Sequence, residues 1–135
     1  MVYQLITPEE EKRIFERLIE YYQKLYPNLV FSKKEKLLSK NDIGNIHYTY
    51  SGEETEATAT ETRDMIREAL ATGYNTTIIL LEKKTGKRIL LDGHRRAIVA
   101  YHEGLGWRVM IIQPNKDADF GIEKMIIKKV KYMNV

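Results

Sequence analysis

The sequence predicts an α+β fold, a single compact domain over residues 1–135, and three observations carry that expectation. The chain has 135 residues, enough for one sizeable core and short for two. Apolar residues recur at helical spacing in some segments and as β-branched runs in others. Between Thr76 and Pro114 the order reads strand, hairpin turn, strand, helix, strand, with Gly, Pro or Asp at each boundary.

Element by element, Thr7-Pro8-Glu9-Glu10 is a helix start, with a capping threonine, a proline suited to the first turn and acids at the positive end. Ile14, Phe15, Leu18, Ile19, Tyr22, Leu25 and Tyr26 then share one stripe, read as core, and Pro27-Asn28 ends the helix. Ser32 with Glu35 matches a capping box and predicts a short basic helix over 33–40, followed by a break from Asn41 to Gly44. Ile46–Tyr50 has strand composition, and Ser51-Gly52 turns the chain. The acidic, threonine-rich run 53–60 reads as a loop. A helix over 61–72 follows, with Met65, Ile66, Ala69 and Leu70 inward and Gly73 as its stop. Thr76–Leu81 and Arg88–Leu91 form a hairpin around Lys83-Lys84-Thr85-Gly86. A helix from His94 to Glu103 places Ala97, Ile98 and Tyr101 inward. Trp107–Ile112 is a strand closed by Pro114-Asn115, Asp117–Gly121 is a turn, and Ile122–Lys131 is expected to be a basic helix. This divides the domain into a helical and loop portion (1–60), a core motif (61–113) and a basic C-terminal segment (114–135).

Composition narrows the function. Hydrophobic residues make up 43% and charged residues 30%, the balance of a globular protein. No apolar run approaches the ~18 residues of a membrane span, and the N-terminus lacks the pattern of a signal peptide, so a cytoplasmic protein with no membrane partner is expected. Cysteine is absent, which excludes disulfides, thiolate metal sites and cysteine nucleophiles. Charge is unevenly placed: residues 1–81 carry 10 Lys/Arg against 13 Asp/Glu, and residues 82–135 carry 12 against 6. The second half is therefore the place to seek a phosphate-bearing partner.

Asp92-Gly93-His94-Arg95-Arg96 is the candidate site. The outward amides and positive dipole of a helix start favour an anion, and Gly93 permits close backbone approach. Three donors follow in the first turn: His94, Arg95 and Arg96. Cations there oppose the helix dipole, a local conflict that an anionic ligand resolves. Asp92 can cap the helix, orient His94, bind a phosphate-linked metal or act as a general base. Glu53, Glu54 and Glu56 offer a further carboxylate, with Glu54 the candidate base. Thr60 either contacts phosphate or caps the next helix.

The stretch Thr62–Gln113, with its hairpin, Asp-Gly-His-Arg-Arg junction, amphipathic helix and following strand, resembles the ParB/sulfiredoxin-fold superfamily. The resemblance implies a mixed β-sheet with a strand–turn–helix junction that holds nucleotide phosphates or a nucleic-acid backbone. Sulfiredoxin's catalytic cysteine position is Gly93 here, so sulfinic-acid reduction is not expected. The partition proteins' Gly-Glu-Arg-Arg box is Gly93-His94-Arg95-Arg96 here, with 39 residues after Arg96. The Asp-Gly-His-Arg form is closest to the archaeal free serine kinase, a phosphotransferase.

Three functions are carried forward. The first is a Mg²⁺-dependent phosphotransferase or nucleotide hydrolase. It would use ATP or ADP and a small-molecule acceptor, with Asp92, His94 and Glu54 catalytic, Asp92 the metal ligand, and Gly93, His94, Arg95, Arg96 and Thr60 on the nucleotide. The second is a ParB-like nucleic-acid-binding or nuclease module, helped by Lys124, Lys128, Lys129 and Lys131 on the last segment. The third is a nucleotide sensor without chemistry. No metal spacing links His47, His94 and His102, so zinc is not expected.

Overall fold

A computed structural model describes residues 7–49 and 77–133. The expected acidic loop over 53–60 and the helix over 61–72 lie outside the described residues.

The chain starts as predicted. Helix α1 (Pro8–Leu25) is capped by Thr7, whose side chain accepts from the Glu10 amide at 3.2 Å while Glu10 reaches back to the Thr7 amide at 3.3 Å. The next element is a correction. Residues 33–40 do not begin a helix. Phe31–Leu38 is strand β1, paired antiparallel along its whole length with β5 (Trp107–Pro114), from Phe31 opposite Pro114 to Leu38 opposite Trp107. The capping-box residues are used otherwise: the Ser32 hydroxyl donates to the Gln113 carbonyl at 3.4 Å and Glu35 pairs with Arg108 at 3.4 Å. β1 lies at the sheet edge with most of its side chains exposed, so it lacks the apolar alternation that announces a strand. Its lysines suit an edge that must not recruit another chain. The expected break at Asn41–Gly44 is instead a short helix, α2 (Lys40–Gly44), capped by Ser39.

Strands β2 (His47–Tyr48), β3 (Ile78–Glu82) and β4 (Arg88–Asp92), then helix α3 (His94–His102), follow the sequence reading closely. The β3–β4 turn closes with Gly86 at φ +90°. The basic helix expected at Ile122–Lys131 is the second correction. Two 3₁₀ turns, Ile122–Met125 and Val130–Tyr132, flank the two-residue strand β6 (Lys128–Lys129). The amides of Ile127 and Val130 donate to the Tyr48 and Ile46 carbonyls at 2.9 Å each, so pairing with β2 outcompetes a local helix. Glu123 also accepts from the Phe120 amide and binds Lys83 at 2.8 Å, which holds the turn. The four lysines of this segment therefore do not share a helical face.

The sheet runs β1-β5-β3-β4-β2-β6 and is mixed: β5 with β3 and β4 with β2 are parallel, the other pairs antiparallel. Alternation divides β3. Ile78 and Leu80 join Ala97–Ala100 of α3, Ile43, Trp107, Val109 and Val130 in one core. Ile79 and Leu81 join Phe15 and Tyr22 of α1, Ile112 and Phe120 in the other. The α1 aromatics are packing residues, as expected: Tyr26 and Phe120 meet edge to face at 5.0 Å. The result is a sheet with helices on both faces. No helix among the described residues is long and apolar enough to cross a membrane.

Candidate functional site

β4 ends at Asp92 and α3 starts at His94, so one residue makes the turn. Gly93 has φ +92°, and a β-carbon on it would come 2.5 Å from Ile78 Cγ2. Both the backbone conformation and the packing demand glycine. Having no side chain, Gly93 cannot cap α3, and the first turn contains no acid. His94, Arg95 and Arg96 occupy that turn, and the fold treats each differently.

Arg96 turns inward. Its side chain is 9% exposed, Nη1 donates to the Thr77 carbonyl, and Nη2 lies 3.3 Å from Glu11 Oε2 and 3.4 Å from Asp92 Oδ2. Glu11 comes from the first turn of α1 and is fully buried. One guanidinium thus links α1, the entry to β3 and the end of β4. Arg96 was expected on the phosphates beside Arg95. Its burial makes it a support beneath the junction, because its donors are directed at protein acceptors.

Glu11 completes an ionisable cluster. Its Oε1 has no hydrogen-bond donor among the described residues, which is costly for an ionised carboxylate. Burial pushes its carboxyl from 4.5 up to about 8; Arg96 opposes the rise and the neighbouring Asp92 carboxylate adds to it. At neutral pH Glu11 therefore keeps its proton. Of the two carboxyl groups on Arg96, Asp92 is the one that reaches solvent, its side chain 34% exposed. Asp92 is held from the protein side and open on the other.

His94 is positioned by Thr49. The Thr49 hydroxyl donates its single proton to the Leu90 carbonyl at 3.0 Å, so at 3.3 Å it accepts from His94 Nε2–H. The Tyr48 ring packs edge-on at 5.1 Å. Burial lowers the His94 pKa from 6.5 to about 4; Asp92 works against the fall and Arg96 with it. At neutral pH the ring supplies hydrogen-bonding capacity and no charge. Arg95 stands half-buried at the second position of α3.

The structure therefore gathers Asp92, Gly93, His94 and Arg95 around one turn and places Arg96 below it. Glu54 and Thr60 lie outside the described residues. Among the described residues no three His, Asp or Glu side chains gather as a metal-ligand group. Two contributors escaped sequence reasoning. Glu11 reads as one of three acids at a helix start, and nothing local marks which of them is buried. Thr49 reads as a strand residue, and its link to His94 spans 45 positions.

Comparison with protein-family models, with curated proteins and with solved structures finds no match to this chain.

Proposed function

We propose that this chain binds nucleotide phosphates at the β4–α3 junction, in the manner of the ParB/sulfiredoxin superfamily, and catalyses phosphotransfer or nucleotide hydrolysis. The observation that carries the reading is Asp92, a carboxylate open to solvent on one side and braced on the other by Arg96 and a protonated Glu11. A base needs that combination: access to a substrate proton and a fixed position. Beside it, the start of α3 offers positive potential, and Arg95 supplies the charge.

In this reading ATP lies with its phosphates against Gly93 and Arg95. Asp92 takes the proton from the acceptor hydroxyl, or from water, as that oxygen attacks the terminal phosphorus. The bond to the bridging oxygen breaks and ADP leaves. His94, whose single N–H at neutral pH is given to Thr49, orients its neighbours without neutralising charge. Mg²⁺ characteristically arrives with nucleotide phosphates and takes only one or two protein carboxylates, so Asp92 is a donor of the right class to hold it. Glu54 stays the candidate for a second carboxylate.

The test is thermal stability with ATP and ADP, with and without Mg²⁺, on the native chain and on Arg95→Ala and Asp92→Asn. A ligand of the folded state raises the melting temperature by mass action. The expected result is stabilisation by nucleotide that Arg95→Ala abolishes, with product formation that Asp92→Asn abolishes while binding persists. Absence of stabilisation by either nucleotide overturns the reading. Stabilisation by a DNA duplex alone, lost as salt rises, would replace it with a nucleic-acid module.

A further inference from the structure

At the far end of β4 from Asp92, a second basic site is built from elements the junction does not use. A cavity of about 350 Å³ opens between α2, β2, the β3–β4 turn and β6, and His47, Lys87, Arg88 and Lys129 line it together with Asn45 and Asp42. Its size lies at the lower end of the ~300–1,000 Å³ typical of small-ligand sites. His47 is directly opposite Lys129 in the β2–β6 pair, so both side chains leave the same face of the sheet. Lys87 enters from the hairpin, one residue before β4.

The cations here are not neutralised alike. Arg88 is engaged by Glu82 at 2.7 Å. Lys87 and Lys129 are both half-buried, and neither pairs with a carboxylate among the described residues. Asp42, exposed on the rim, is the one acid on the lining. The His47 ring likewise makes no hydrogen bond to a described residue. Burial lowers its pKa below 6.5, and the charges of Lys87 and Lys129 lower it further. Two lysines beside a neutral imidazole over a polar hollow leave a positive potential that, on the lining, only exposed Asp42 opposes.

We propose that this cavity is a binding site for the phosphate group of a small phosphorylated ligand, gripped by Lys87 and Lys129 with His47 at its base. Phosphate matches the donor set: two ammonium groups offer charge, and the Thr85 hydroxyl on the lining offers a neutral donor beside them. Asp42 at the rim is an acceptor suited to a hydroxyl of the group that carries the phosphate. The site is independent of the β4–α3 junction, which lies four residues further along β4.

His47 gives the readout. A bound anion favours the imidazolium and must raise the His47 pKa. We would follow its ring proton by NMR against pH, in inorganic phosphate, in a sugar monophosphate and in chloride at matched ionic strength. The expected rise over chloride is roughly 0.5–1 pH unit in either phosphate, saturating with concentration. The double variant Lys87→Ala, Lys129→Ala should abolish it, and Arg95→Ala should leave it intact, which separates this site from the junction. A rise with the sugar phosphate alone would support the site and assign it to a phosphomonoester rather than the free ion. Equal His47 values in phosphate and chloride, or a rise that survives the double variant, would overturn the proposal.

Discussion

Glu11→Gln should remove a pH dependence from the stability of this protein. Glu11 is fully buried, and its carboxyl is raised from 4.5 to about 8. The folded state therefore binds a proton between those values that the unfolded state has released. Linkage then gives the sign: this group's contribution is fully present below about pH 4.5 and is lost as pH rises through about 8. At about 1.4 kcal/mol per pH unit, raising the pH from about 5 to about 8 costs on the order of 4 kcal/mol. That is a large part of the ~5–15 kcal/mol that holds a domain together. Glutamine keeps the shape and a donor toward Asp92 and has no proton to release. The variant should equal or trail the native chain at about pH 5 and gain on it steadily up to about pH 8. Urea unfolding followed by the single tryptophan, buried Trp107, measures this at several pH values. The quantity that decides is the change with pH in the difference between the two proteins. A difference that stays constant from acid to alkaline pH would mean Glu11 is ionised in the fold, and the bracing of Asp92 would need another explanation.

Two further outcomes follow from the same junction. Gly93→Ala should cost about 2 kcal/mol or more, because it adds left-handed strain to a clash with Ile78. Gly86→Ala has similar strain, φ +90° with no atom within 4 Å of the added carbon, and should cost about 1 kcal/mol. Equal urea midpoints for the two variants would remove the packing argument. The His94 ring should titrate near 4 by NMR, with Nε2 protonated at neutral pH, and its depressed pKa means that stability is lost as pH falls from 6.5 through about 4. A midpoint at or above 6.5 would restore His94 as a cation at the phosphate site.

The sequence by itself determined the elements whose signals are local. Thr7 and Glu10 form the capping box that starts α1 because both partners lie within one turn. Gly86 and Gly93 mark the two turns of the central motif because only glycine takes those backbone angles cheaply. The buried runs of β3 and β4 and the helix between β4 and β5 were legible for the same reason, and with them the placement of Asp92 through Arg96 at a helix start. Only the tertiary structure decided the rest. β1 carries a helix-like sequence and became a strand because β5 presents an edge eight residues long, and pairing with it satisfies the backbone that a short exposed helix would leave frayed. The last segment became 3₁₀ turns and a short strand because β2 accepts its amides. The charge state of the site was decided the same way. Arg96, Glu11 and His94 have ordinary reference chemistry in sequence. Their roles come from burial and from partners up to 85 positions distant, and desolvation acts only once the chain has closed around them.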